Sequence, residues 1–228
     1  MLRKACGLVA LVVPLLAGPA LAQQVAVDVN GFGGVYLPVT DWQFSDQVAQ
    51  AAGFSEAVAQ HSTAVLFGGR LTLWVTDVFG VEAGFAYALS DIEVEATTVG
   101  VGTENICGQE FAGEPFDCDA SVWLASLKGL YRFAPQFGGI WAIHIGGGLA
   151  MIGRTGDIYD ETEGTTDVGG VVNIGATFDV APQVAIRLDV EDYLYSVKLE
   201  EEAGLELGDS QFQNDLIFTG GIVIKLGR

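Results

Sequence analysis

The chain has 228 residues, 50% of them hydrophobic, and its 10 Lys and Arg residues are far outnumbered by 29 Asp and Glu residues, for a formal net charge of -19 at pH 7. A protein this acidic is repelled by phosphate backbones, so nucleic acid is excluded as a partner. The length fits one domain, and no stretch of the sequence reaches the roughly 20 continuous apolar residues of a membrane helix.

The N-terminal residues have the three parts of a secretory signal peptide. Arg3 and Lys4 give a positive start, residues 8–16 are an apolar run, and small residues that suit a signal peptidase end at Ala22. We therefore expect a signal peptide over residues 1–22 and a single mature domain over residues 23–228. Export places the mature chain in an oxidising compartment.

Eight stretches of alternating apolar residues follow, between Val25 and Leu226. Each keeps a period of two over about ten residues, the length with which a tilted β-strand crosses a bilayer. The connections differ in length: residues 76–79, 135–138 and 181–183 are short, and residues 97–119, 156–166 and 200–213 are long. Outer-membrane barrels sort their connections in this way, with tight turns on the periplasmic side. The pattern predicts an all-β fold, an eight-stranded antiparallel up-and-down transmembrane β-barrel.

One face of each predicted strand is large and apolar, and the other is small or polar. In the fifth stretch, for example, Trp141 and Ile143 alternate with Ala142 and His144. A lumen enclosed by eight strands has room only for side chains, which suits the small face. We expect the large face to contact lipid. Alternation alone leaves a second interpretation open, a soluble secreted barrel with an apolar ligand pocket.

Charged residues on the small face predict a polar network in the lumen. Arg70 and Glu82 lie near each other across a tight hairpin. The other members share the inward parity of their strands: Lys128, His144, Arg187, Asp189, Glu191 and Lys225. An isolated buried charge is costly, so we expect these charges to pair and to close the barrel as a polar plug. A gated ion path is the alternative. A β-bulge within residues 189–193 would change the faces of Asp192 and Tyr193, which stay open.

The two cysteines of the mature chain, Cys107 and Cys118, lie in one long acidic loop. In an oxidising compartment they predict a disulfide that closes the loop, and their spacing does not fit a zinc pair. The remaining long loops are acidic as well, so weak binding of Ca²⁺ or Mg²⁺ is open to them, but no cofactor or dedicated metal site is predicted. Ahead of the second strand, residues 45–52 predict a short helix.

Catalysis is not expected from this sequence. His61 and Ser62 are adjacent, but no carboxylate that would orient the histidine can be identified, and His144 falls on the inward face. A nucleophile, a base and an orienting group must converge for covalent catalysis. The sequence shows no such set, so we expect no enzyme.

The last predicted strand, residues 219–226, has the pattern of the C-terminal assembly signal of outer-membrane barrels: a polar residue, a glycine and alternating apolar residues. With this strand, the whole mature chain resembles the small eight-stranded outer-membrane barrels, the superfamily of the OmpA transmembrane domain and OmpW. It departs from them at its end, where Leu226 stands in place of the usual aromatic residue and Gly227 and Arg228 follow.

The resemblance implies a protein of the Gram-negative cell outer membrane with a structural role, or one that interacts with its surroundings through acidic extracellular loops. The expected partners are outer-membrane lipid, lipopolysaccharide and the barrel assembly machinery, and a monomer is favoured. The alternative is OmpW-like transport of small solutes or ions through a narrow barrel.

Overall fold

The computed structural model describes residues 26–43, 54–98, 105–106, 109–110, 116–133, 140–156, 162–163, 165–197, 200–201 and 210–227. Eight long strands dominate the structure: β1 (Ala26–Pro38), β2 (Ala64–Trp74), β3 (Phe79–Leu89), β4 (Phe116–Phe133), β5 (Trp141–Gly156), β6 (Thr166–Ala181), β7 (Val184–Val197) and β8 (Gln211–Leu226). Each strand is antiparallel to its neighbours in the chain, and β8 pairs with β1 to close the sheet. The predicted eight-stranded barrel is confirmed. The predicted signal peptide, residues 1–22, lies outside the described residues.

The hydrogen-bond register determines how strongly the strands tilt. Following paired residues once around the barrel from Leu37 leads back to β1 at Val27, ten residues lower. A stagger of this kind goes with strands tilted by about 35–45° to the barrel axis. The shortest barrel strands have 11 residues, which is enough to cross the hydrocarbon core at such a tilt.

Side chains alternate between the outer wall and the lumen along most of each barrel strand. In β2, Val65 is 67% and Phe67 53% exposed, whereas Leu66 and Arg70 are buried. Large apolar side chains are exposed in the same way on all eight strands. A soluble barrel would bury this surface, so the interpretation as a soluble barrel is wrong and the wall is a lipid-contacting face.

A second, smaller piece of sheet extends β2, β3 and β4 beyond the apolar wall. The strand Asp91–Thr98 continues β3 and pairs with the first residues of β4. The strand Phe54–His61 precedes β2 and pairs with Asp91–Thr98, and Trp42–Gln43 pairs with Phe54–His61 in turn. The long connection expected at residues 97–119 is therefore shorter than predicted. Strands that leave the bilayer need no apolar outward face, so the membrane pattern does not reveal them.

The two ends of the barrel differ in their connections. The turns at residues 75–78 and 182–183 are tight, and both ends of the barrel sequence, Ala26 and Leu226, lie at this end. Short turns mark the periplasmic side of such barrels, so the sheet extension lies on the extracellular side. No helix among the described residues is long and apolar enough to cross a membrane. The helix predicted at residues 45–52 lies outside the described residues.

Candidate functional site: the charged lumen

Six charged side chains meet in the middle of the lumen, and each is at most 4% exposed. We call them the central cluster: the cations of Arg70, Lys128 and Arg187 and the carboxylates of Glu82, Asp189 and Glu191. They come from β2, β3, β4 and β7, which lie on opposite sides of the barrel. The sequence placed all six on inward positions, and the tilt of the strands brings them together. Their formal charges cancel.

Glu82 is the carboxylate that all three cations share. Its Oε1 lies 3.1 Å from Lys128 Nζ and 3.8 Å from Arg70 Nε. Lys128 also donates to Glu191, and Arg70 Nη2 lies 3.0 Å from the same Glu191 Oε1. Removing one charge would therefore leave several partners uncompensated in a space closed to bulk water.

Arg187 bridges two carboxylates with its planar guanidinium group. Its Nη1 and Nη2 atoms donate to Glu82 at 2.5 and 3.2 Å, and its Nε and Nη2 atoms donate to Asp189 at 2.8 and 2.9 Å. Paired, charge-assisted bonds of this kind fix orientation as well as charge. Arg187 therefore links β3 to β7 across the lumen.

Neutral polar side chains satisfy the remaining hydrogen-bonding positions of the cluster. His144 Nε2 lies 2.7 Å from Asp189 Oδ1, as its inward parity predicted. Tyr193, whose face the sequence left open, donates to Glu191 at 2.9 Å. Four others were not singled out in the sequence: Asn30, Thr72, Asn173 and Thr219. Thr72, for example, donates to Glu82 at 2.6 Å. Their inward parity could have identified them as lumen residues, but not as partners of particular charges.

Lys225 does not join the central cluster. It donates to Asp179 near the periplasmic turns, and its register partner Asp28 accepts a hydrogen bond of 2.7 Å from Trp74 Nε1. A cavity of about 270 Å³ opens at this end and reaches inward to His144 and Arg187. The periplasmic mouth of the barrel is therefore polar and partly open.

The extracellular half of the lumen contains an apolar layer, which the sequence did not lead us to expect. Between the cluster and the long loops lies a packed layer of buried side chains, among them Phe32, Leu66, Leu124, Ile152, Val171 and Ile217. Four of these six side chains have no exposed surface. The lumen is thus closed twice, first by paired charges and then by an apolar layer.

A further polar group covers the apolar layer on its extracellular side. Arg154 donates to Asp167 at 2.6 Å, and Tyr195 donates to Asp215 at 2.5 Å. Arg154 lies on the same face of β5 as His144. Extending the fifth predicted strand as far as residue 154 would have identified it as a lumen residue. The bulge suspected within residues 189–193 is absent: the register with β6 and β8 runs without a shift from residue 185 to 195, so Tyr193 faces the lumen and Asp192 faces the wall.

The other candidate residues do not form a site. His61 is buried, with Nδ1 3.3 Å from Ser90 Oγ, and Ser62 Oγ accepts from the backbone of Asp91 at 3.1 Å. No group of three His, Cys, Asp or Glu side chains could hold a metal ion within the described part of the chain. Cys107 lies outside the described residues, so its disulfide with Cys118 stays a prediction, as does ion binding by the loops.

Comparison with known proteins supports the outer-membrane assignment. The profile of the outer membrane protein beta-barrel domain family matches residues 8–218. The chain belongs to this family. Its place is accordingly the cell outer membrane. A search of curated proteins finds no match.

Two of the solved structures that share the fold illustrate the similarity. The outer membrane protein OprG from Pseudomonas aeruginosa aligns with 90% of this chain and 97% of its own at 12% identity and a TM-score of 0.61. The outer membrane protein AlkL, solved by solid-state NMR in lipid bilayers, aligns with 92% of this chain and 94% of its own at 11% identity and a TM-score of 0.59. Identities this low show a common barrel architecture and nothing finer.

Proposed function

We propose that this protein is a closed outer-membrane anchor that presents its acidic loops at the cell surface. The observation that carries the proposal is the central cluster, in which Glu82 is in contact with Arg70, Lys128 and Arg187 in the middle of the lumen. An eight-stranded barrel has little interior space, and here side chains occupy it at two levels. A barrel filled in this way serves as a stable support.

The loops are the parts that this proposal assigns to outside contacts. Acidic residues are dense in the connections between the long strands, for example Asp157, Asp160 and Glu161. Such a rim can bridge to anionic lipopolysaccharide through divalent cations. The proposed partners are therefore outer-membrane lipid, lipopolysaccharide and, during biogenesis, the barrel assembly machinery, with the chain acting as a monomer. We assign it no catalytic activity, since His61 and Ser62 are engaged with Ser90 and Asp91 in structural contacts.

Conductance across a planar bilayer tests the anchor directly. We expect the refolded mature protein to give no steady channel at moderate voltage, because both the central cluster and the apolar layer block the lumen. A 16-stranded porin in the same bilayer is the control for insertion and detection. Steady channels that scale with the amount of inserted protein would contradict the proposal.

A second candidate function, transport of a small apolar solute, is favoured by one observation. The extracellular half of the lumen is lined by apolar side chains such as Leu66 and Ile217, which an apolar solute could displace at low cost in hydration. Uptake of an apolar dye into vesicles separates this candidate from the anchor. Transport predicts uptake that falls when Ala88, a buried residue of this layer, is changed to Phe, whereas the anchor predicts no protein-dependent uptake.

A further inference from the structure

The lipid-facing wall carries a carboxyl group where the alternation calls for an apolar side chain. Asp192 follows Leu188 and Val190 on the outward face of β7. Apolar side chains continue beyond it towards the extracellular end: Val168, four residues past its register partner Val172 on β6, is 69% exposed. Asp192 therefore lies within the apolar band rather than above it. Ionisable residues at such depth are rare and mark functional sites.

An amide shares this part of the wall with the carboxyl group. Asn214 of β8 pairs with Leu194, which makes it a diagonal neighbour of Asp192, and its side chain interacts with the Asp192 carboxyl group. Within the described residues, no hydrogen-bond donor reaches Asp192 Oδ1 or Asn214 Oδ1, and both oxygens are covered. The side chains themselves are only partly buried. Rotation about the terminal bond, which has a broad torsional profile, would present either oxygen to the membrane.

An apolar groove begins immediately below this polar pair. It runs over β5, β6, β7 and β8, has a volume of about 500 Å³ and is lined by Ile143, Ile174, Ala176, Leu188, Val190, Phe218 and the backbone around Gly220. Val190 is the outward residue next to Asp192 on β7, and Phe218 is next to Leu216, the register partner of Asp192 on β8. Ala176 and Gly220 lack the bulk to fill the space between the larger side chains. The volume lies within the range of about 300–1,000 Å³ that small-molecule sites occupy.

Apolar groove and polar pair together fit an amphiphile, with a chain below and a hydrogen-bonding head above. We infer that this part of the wall binds an outer-leaflet lipid whose acyl chains carry hydroxyl or amide N–H groups near their head, with one chain in the groove and a donor on Asp192 or Asn214. The unmet atoms are acceptors, so the ligand must supply the donors. Lipid A offers such hydroxyl and amide groups, whereas the ester linkages of a diacyl phospholipid offer only acceptors.

A second copy of the chain fits this surface less well. A twofold interface would place the same patch against itself and bring one Asp192 carboxyl group towards the other. The inferred lipid site depends on the outer-membrane location and not on whether the lumen conducts. The conductance experiment can therefore contradict the proposed anchor without contradicting the lipid site, and the lipid-binding experiment can do the reverse.

Native mass spectrometry of the folded mature protein tests the site, with lipid A and dioleoylphosphatidylcholine, a diacyl phospholipid without a hydrogen-bond donor, offered at equal concentration. We expect wild type to retain lipid A preferentially. The double change Asp192→Leu and Asn214→Leu removes the polar contacts and should lower that preference by about tenfold, a change that one hydrogen bond to a charged group can cause. Ala176→Leu fills the groove and should reduce retention of both lipids.

Ala83→Leu is the matched control, because Ala83 is a lipid-facing alanine on β3, away from the groove. It should behave as wild type, and gel mobility of unboiled samples shows that each variant is folded. An unchanged lipid A preference in the double variant would overturn the inference, as would equal retention of the two lipids by wild type. If wild type were found as a dimer and the double variant as a monomer, the surface would bind a second copy of the chain instead of a lipid, and the inference would be overturned.

Discussion

Arg187 connects opposite sides of the lumen, because its guanidinium group contacts Glu82 on β3 and Asp189 on β7 at the same time. Ion pairs that are buried this deeply contribute little net stability compared with an apolar core, but breaking one is costly. The cost comes from carboxylates that keep their charge and lose their partner. At the scale of single residues, therefore, the lumen is balanced and sensitive to any change in charge.

Replacing Arg187 with Met should destabilise the barrel by about 3–5 kcal/mol, the usual loss when one partner of a buried pair is removed. The free energy of unfolding is measured by urea titration in lipid vesicles, followed by tryptophan fluorescence. Arg132→Met is the control, since Arg132 is partly exposed near the turns, donates to the Asp77 carbonyl group and stacks on Trp74. It should lose only about 1 kcal/mol. Equal losses would show that Arg187 has no special role.

The sequence could place the charges of the central cluster on the lumen face, because parity is a local property of each strand. It could not pair them. Arg70 and Asp189 are 119 residues apart in sequence and meet because of the stagger between distant strands, which no local pattern encodes. For the same reason Asn30 and Thr219 were not recognised as partners of Arg70, and Lys225 was grouped with charges from which the barrel separates it.

Within the strands, some glycines lie where the backbone of the neighbouring strand leaves no room for a Cβ atom. Gly148 of β5 lies on the same face as His144, and a Cβ atom there would stand 2.0 Å from the Leu127 carbonyl oxygen. At the adjacent Gly147, the nearest atom would be the Val171 oxygen at 3.4 Å, which is ordinary contact. Neighbouring glycines in the middle of one strand thus differ in whether they tolerate a side chain.

Gly148→Ala should therefore destabilise the barrel by about 1–3 kcal/mol, as overpacking usually does. Gly147→Ala adds the same methyl group one residue away and should change the unfolding free energy by less than about 0.5 kcal/mol. Urea titration of the two variants side by side gives both values. Similar losses of unfolding free energy in both variants would mean that strand propensity, and not the contact with Leu127, determines the effect of the added methyl group.

The connection between β3 and β4 gives a prediction that concerns covalent structure. Cys107 and Cys118 should form a disulfide in protein exported to an oxidising compartment. Alkylation without reduction should then leave the intact mass unlabelled, and alkylation after reduction should add two labels. Cys118→Ser is the control and should take up one label in either case. Two labels on unreduced wild type would contradict the prediction.

Elements inside the membrane were predictable, and those outside it were not. Lipid on one side and a crowded lumen on the other force a period of two on all eight barrel strands, which is why their number and order could be inferred. The strand Phe54–His61 lies beyond the apolar wall, where no lipid imposes a pattern, so the alternation of apolar residues does not reveal it. A bulge in β7 was suspected from Asp192, whose outward carboxyl group breaks the pattern without breaking the strand.

At the scale of the whole molecule, closure is the property from which stability follows. Every barrel strand is hydrogen-bonded on both sides, so the sheet has no free edge and cannot open at one seam without losing a full set of backbone bonds. Since β8 is bonded to both β7 and β1, the last strand completes the barrel.

The unboiled mature protein should migrate faster in SDS gels than the boiled protein, because a closed barrel remains compact in the detergent. A chain that ends at Ser210 lacks β8 and should show one mobility whether or not it is boiled. Gel mobility after extraction in mild detergent gives the comparison. Heat-independent mobility of the full chain would contradict closure.

The lumen is open to solvent at its periplasmic end and is closed by the apolar layer towards its extracellular end. At the periplasmic end, the cavity beside Lys225 is open to solvent, and its lining includes His144 and Arg187. From the extracellular side, polar solutes are blocked by the apolar layer, which includes Leu66 and Ile152. The two ends of the lumen therefore meet different surroundings: the periplasmic solution reaches the polar cavity beside Lys225, whereas the external medium is kept from that cavity by the apolar layer.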